Sequence, residues 1–148
     1  MLEDIQDPGN LGSILRSAAA AGVRHAMLSK RCAQAWSPRV LRAAMGAHFV
    51  LNIYEFVDLP DAARAFQGTV VATCTRAPRS VYDVDLTSGI ALLFGNEGAG
   101  LSCELLAAAH EVVAIPMPGR VESLNVAATV AVCLFERVRQ LSAAQRAK

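Results

Sequence analysis

The chain is short of most features that mark a specialised protein class. It has no apolar run of the roughly 20 residues needed to cross a bilayer as a helix. The longest apolar stretch, Leu124 to Phe135, is already broken by Asn125 and Thr129. An integral helical membrane protein is therefore not expected. Ten glycines and six prolines are too few for a low-complexity or collagen-like segment, and 53% hydrophobic against 18% charged residues is too apolar for intrinsic disorder. The four cysteines, Cys32, Cys74, Cys103 and Cys133, form no C-x-x-C and have no histidine at ligand spacing. A zinc site, or any other metal site, is not expected. Each cysteine lies in an apolar neighbourhood and reads as a small buried hydrophobe in a reducing compartment. His25, His48 and His110 are isolated and read as packing or surface residues. The opening Met-Leu-Glu-Asp-Ile places acids where a secretory signal would be basic, which points to the cytoplasm. A net charge of +1 provides no whole-molecule field toward a polyanion.

What is present is enough apolar material, in 148 residues, for one compact domain over residues 1–148. Of the 14 basic residues 12 are arginine; residues 1–48 carry six basic against three acidic groups, and the remainder eight against ten. Guanidinium groups fork onto phosphates better than ammonium groups do, although arginine use also follows GC-rich coding.

Short β-branched runs alternate with alanine-rich amphipathic stretches, the pattern of an α/β fold with a mainly parallel sheet flanked by helices. Helices are expected over Asn10–Ala21, with Asn10 as its cap, Ser37 to about Met45, Leu59–Phe66, Ser102–Ala109 and Leu124 to about Leu141. Strands are expected at His25–Ser29, Val50–Phe56, Thr69–Thr75, Ile90–Phe94 and Glu111–Met117. A central strand should also stand before Asp7-Pro8-Gly9, where only Met1–Ile5 remain to form it. The expectation is a longer protein, trimmed at its N-terminus or lacking an N-terminal companion domain.

In a parallel sheet the strand-to-helix loops gather at the carboxyl ends of the strands, where ligands bind. Three loops here are rich in polar and glycine residues. Asp7-Pro-Gly-Asn-Leu-Gly leads into a helix bearing Arg16. Leu93-Phe-Gly-Asn-Glu-Gly-Ala-Gly bends around Glu97, with glycines that let backbone approach a ligand. Ile115-Pro-Met-Pro-Gly-Arg-Val-Glu-Ser-Leu-Asn opens the last helix with Ser123 and Asn125. Each alone is an ordinary turn or cap, and none is a G-x-G-x-x-G or P-loop fingerprint.

Together, the order N-x-x-x-x-x-R, G-N-E-G-x-G and I-P-M-x-G-x-x-x-S-L-N-V resembles the SpoU (TrmH-like) family of RNA ribose 2′-O-methyltransferases, of the SPOUT superfamily. The resemblance runs from Asp7 to about Gln140. It implies an α/β domain with a C-terminal trefoil knot, an exception to the unknotted-chain rule. It also implies a homodimer with the active site completed across the interface, S-adenosylmethionine as methyl donor without a metal, and tRNA or rRNA as substrate. The donor-binding positions carried over are Phe94, Gly95, Ile115, Met117, Leu124 and Asn125. The catalytic positions are Arg16, Asn10, Glu97, Ser123 and Asn125.

Methyl transfer to a ribose hydroxyl requires a donor held in line with the oxygen and an exit for the proton. A guanidinium keeps its proton in proteins, so the role expected of Arg16 is to clamp the target phosphate and stabilise developing alkoxide. Glu97 would fix that guanidinium, and Asn10, Ser123 and Asn125 would orient hydroxyl and donor. Arg39, Arg42 and Arg120 are candidate RNA-backbone contacts, with ordinary solvated charge as their alternative. The competing readings are a knotted methyltransferase acting on an RNA base nitrogen and a non-catalytic RNA-binding or donor-binding module. A nucleotide-dependent oxidoreductase is more distant, because its fingerprint is absent.

Overall fold

A computed structural model describes residues 1–146. Helix α1 spans Pro8–Ala20 and is followed by strand β1 at His25–Met27, helix α2 at Pro38–Ala44 and strand β2 at Asn52–Tyr54. Helix α3 at Leu59–Ala65 leads to β3 at Thr69–Thr73 and a two-residue β4 at Arg79–Ser80. The chain ends with β5 at Ile90–Leu93, α4 at Cys103–Ala108, β6 at Glu111–Ala114 and the long α5 at Val126–Arg146.

Every strand pairing is parallel, in the orders β4-β6-β3-β5 and β1-β2. Leu2 joins the two groups, bridging Leu28 beyond β1 and Phe94 beyond β5. The expected segment before Asp7 thus lies at the centre of the sheet, although only one of its residues makes the bridge. One face is covered by α1, α2 and α5 through Leu11, Leu15, Val40, Val130 and Leu134; the other is covered by α3 and α4 through Leu59, Ala63 and Leu105. The class is mixed α/β with parallel strands flanked by helices.

Local chemistry explains most element starts. The side chain of Asp7 accepts a hydrogen bond from the Asn10 backbone N–H at 2.7 Å, and Pro8 opens α1. Asp7 is therefore the cap expected of Asn10, which frees the Asn10 side chain. Asp58 and Ser102 cap α3 and α4 in the same way. The last helix starts at Val126 rather than Leu124, because Asn125 Oδ1 accepts from the N–H of Ala127 at 2.9 Å. The strands expected to reach Thr75 and Met117 stop at Thr73 and Ala114, leaving their last residues as loop.

The cysteines split. Cys133 is fully buried and burial pushes its thiol up to about 12, whereas Cys103 is exposed, against the expectation that it is buried. Glu136 was not anticipated as an interior residue. It is only 7% exposed, and its carboxylate accepts two hydrogen bonds from Arg139 and one from Gln140, each 2.8 Å. Gln140 in turn holds Val84 O and Leu86 N at 3.0 and 2.8 Å. This ties α5 to the connection before β5.

Candidate active site

Parallel pairing places the carboxyl ends of β3, β5 and β6 along one edge, and the loops that follow them enclose a cleft of about 360 Å³. That volume lies in the range of small-molecule sites. Its walls are Thr73–Thr75, Phe94–Leu101, Ile115, Met117 and Glu122–Leu124. The apolar side chains supply the bulk of the surface for a ligand, and Glu97 and Glu122 are the carboxylates among the described lining residues. Those acids favour a ligand carrying positive charge.

The glycine-rich loop closes on itself. Asn96 N donates to Gly100 O at 3.2 Å and Gly100 N to Asn96 O at 2.9 Å. A Cβ on Gly95 would lie 2.3 Å from the Gly100 carbonyl and 2.4 Å from Leu101 N, so no side chain fits there. Asn96 Oδ1 also accepts from the N–H groups of Gly98 and Ala99, at 2.9 and 3.0 Å.

The loop is anchored from outside by two residues that sequence reasoning missed as site elements. Asn96 Nδ2 donates to Asp4 O at 3.0 Å, and Glu3 accepts from Ser102 N at 2.7 Å. Asp4 has a left-handed backbone, with φ 57°. It is held there by Ser29, whose hydroxyl donates to Asp4 Oδ1 at 2.7 Å, and by Arg31, which pairs with Oδ2. Such a backbone state costs of order 1 kcal/mol or more for a residue with a Cβ. Asn96 was visible in the G-N-E-G string, although the glutamate and glycines drew the reading. No local signal marks Asp4.

One hydrogen-bond chain joins the three motif loops at the cleft. Asn10 Nδ2 donates to Glu97 Oε1 at 2.5 Å, and Asn125 Nδ2 donates to Asn10 Oδ1 at 3.0 Å. Residues separated by 87 and 115 positions in sequence therefore meet through a single amide.

The remaining expected site residues fall into two groups. Phe94, Gly95, Ile115, Met117, Leu124, Glu97 and Ser123 all line the cleft. Asn125 and Asn10 stand beside it through the bonds just described. Arg16 does not join them: it is exposed, lies outside the lining, and makes no hydrogen bond or ion pair among the described residues. It is six residues beyond Asn10 on α1, about 9 Å along the helix axis. Glu97 bonds Asn10, not the Arg16 guanidinium it was expected to fix. Arg39, Arg42 and Arg120 are likewise exposed and without carboxylate partners among the described residues. Thr73, Cys74 and Thr75, at the end of β3, belong to the cleft and were not singled out from sequence. No cluster of three or more His, Cys, Asp or Glu suited to a metal occurs among the described residues, and no described helix is long and apolar enough to cross a membrane.

Residues 1–135 match the SpoU rRNA Methylase family. An uncharacterized tRNA/rRNA methyltransferase of Synechocystis is 42% identical over 97% of this chain and 54% of its own length. A 23S rRNA (guanosine-2′-O-)-methyltransferase of Burkholderia is 37% identical over 94% of this chain and 58% of its own. The chain thus spans somewhat more than half the length of these curated relatives. Among solved structures, an AdoMet-bound rRNA methyltransferase of Sinorhizobium meliloti superimposes with a TM-score of 0.87 at 38% identity, covering 95% of this chain and 55% of that one. A structure described as giving insights into 2-OH methylation of C/U34 on tRNA superimposes with a TM-score of 0.84 at 33% identity, covering 95% and 88%.

Proposed function

The chain belongs to the SpoU rRNA methylase family, and from that premise we propose that it transfers a methyl group from S-adenosylmethionine to a ribose 2′-hydroxyl of tRNA or rRNA. The observation that carries this reading is the Glu97–Asn10–Asn125 chain, which draws all three motif loops around one cleft. The cleft suits the donor. Its apolar walls at Phe94, Ile115, Met117 and Leu124 suit an adenosine, Gly95 adds backbone to the lining, and two carboxylates face a cation. When bound, S-adenosylmethionine supplies a methyl group on a positively charged sulfur.

The protein's own residues do the rest by placement. Asn10 is oriented by its two bonds, and Ser123 has a hydroxyl without a partner among the described residues, so these two are assigned to orient the ribose hydroxyl. Asn125 fixes the entry of α5 and with it the loop over the donor. Arg16, exposed and partnerless, is assigned to the phosphate beside the target ribose and to the oxyanion that develops there. The proton leaves to phosphate or water. Arg39, Arg42 and Arg120 are assigned to the RNA backbone.

The wider assignment follows the family. We assign the chain a C-terminal trefoil knot, a homodimer whose second copy completes the site near Arg16, a cytoplasmic location, and a place within a longer protein bearing an additional N-terminal region. The test is incubation with methyl-labelled donor and RNA from cells lacking the enzyme, followed by digestion to nucleosides. Label in a 2′-O-methylnucleoside is expected. Label in a base would give the reaction to a ring nitrogen, and donor binding without any transfer would leave a binding module.

A further inference from the structure

From Pro8 to Tyr54 the chain carries six lysines and arginines and no aspartate or glutamate. Within that stretch lies a group of exposed rings. Trp36, in the connection between β1 and α2, is 57% exposed, and Phe49, in a 3-10 turn at Ala47–Phe49, is 92% exposed. Burial of such rings is normally worth more than that of any other side chain, so their exposure calls for a partner. Trp36 is not loosely held. His48 Nε2 donates to Ala35 O at 2.8 Å, and its ring packs tilted against Trp36 with centroids 4.8 Å apart. Arg39 and Arg42 stand three residues apart on the intervening helix, exposed and without a carboxylate partner among the described residues.

The chemistry of the partner follows from the two features together. Unpaired guanidinium groups select a polyanion, and preset aromatic faces select flat π systems. With Glu55 bound at Ala35 N and Arg31 paired to Asp4, the open charges of the patch are Arg39 and Arg42, and a second copy would bring these same guanidinium groups together, which disfavours a symmetric contact here. Duplex nucleic acid keeps its bases stacked inside, away from such rings. We propose that Trp36 and Phe49 stack unpaired nucleobases of an RNA whose phosphates Arg39 and Arg42 hold. The proposal rests on the RNA methyltransferase reading above and adds what that reading does not assign: a base-stacking site for single-stranded RNA. Trp36 lies in the connection that follows the carboxyl end of β1, and Phe49 in the one that leads back into β2.

Trp36 is the sole tryptophan, so its fluorescence reports on this surface directly. The intact chain is titrated with a fluorescein-labelled single-stranded RNA dodecamer and with a duplex of equal length, following anisotropy and tryptophan emission. The expected result is quenching by the single strand, saturating with the anisotropy, and little quenching by the duplex. Trp36→Ala and Phe49→Ala should each weaken single-strand binding about tenfold, while Trp36→Phe keeps most of it and donor binding by calorimetry is unchanged. The proposal is overturned if RNA binds without changing tryptophan emission or if Trp36→Ala binds RNA like the parent. It is also overturned if the variants change the sedimenting mass, which would give the patch to a second copy. Failure of every form to bind RNA at low salt, with donor binding intact, would instead bring down the RNA reading itself.

Discussion

Residues 8–54 and residues 55–148 contribute to the same edge of the sheet in different ways. The first stretch has six basic and no acidic side chains, and the second has eight basic and ten acidic. The second builds nearly the whole cleft, with Glu97 and Glu122 on its wall. The first supplies exposed arginines and aromatic rings, and reaches the cleft through Asn10 alone among its hydrogen-bonding side chains in the described structure. A cationic donor and an anionic RNA need opposite surroundings. On the proposed function the two regions would supply them separately, with the Asn10 amide as the tie. Variants of the cleft wall should therefore disturb the donor, and variants of Arg16, Arg39 and Arg42 the RNA.

The largest effect is expected at Arg16. Arg16→Ala should lower single-turnover methyl transfer at least about a hundredfold, the scale of removing one group that stabilises developing charge, while calorimetric donor affinity stays within about twofold. Near-normal transfer would remove Arg16 from the chemistry. Next is Gly95→Ala in the second region, where the new Cβ would meet the Gly100 carbonyl at 2.3 Å. Overpacking of this kind costs about 1–3 kcal/mol, so donor affinity should fall by tens of fold with RNA affinity unchanged; equal losses in both would blur the division.

Asp4 gives a smaller effect, since it acts on the cleft only through Asn96 and the loop. Asp4→Ala should weaken donor binding about tenfold, in line with loss of charge-assisted hydrogen bonds, with Asp4→Asn intermediate. A donor affinity that does not move would leave the Ser29–Arg31 contacts as purely structural. Arg39→Ala and Arg42→Ala should each reduce the slope of log affinity against log salt for RNA by about one. An unchanged slope would return these side chains to ordinary solvated charge.

The smallest effect concerns stability in the second region alone. Arg139 holds the Glu136 carboxyl below its usual range, so the folded group titrates lower than the unfolded one. Its contribution is present above about pH 4 and is lost as the pH falls through the folded value. Acid unfolding of Glu136→Gln should accordingly show a shallower loss of stability below about pH 4; parallel curves would mean the pair contributes nothing.

The sheet and its helices were largely legible because their signals are local. Val70 and Val71, and Ala91 to Leu93, form short buried runs, and α3 at Leu59–Ala65 was placed to within one residue at its end. Asp7 and Asn10 are both good caps, and only geometry decides that Asp7 takes the role while Asn10 turns to Glu97 and Asn125. The two residues of β4 are too few to show a period. The anchors of the glycine-rich loop were invisible for a different reason. Asp4 and Asn96 meet across 92 positions, and Glu136 and Gln140 act on a segment more than 50 residues away, so no window of sequence contains both partners. The motif loops were readable as chemistry, and the contacts that hold them in place were not.

The division of labour is tested most directly by combining Arg16→Ala, Arg39→Ala and Arg42→Ala in one chain and titrating it calorimetrically with S-adenosylmethionine alone. Donor affinity within about twofold of the parent is expected, together with loss of RNA binding and methyl transfer. Donor affinity that falls in step with RNA binding would contradict that division, because the two ligands would then share one indivisible site.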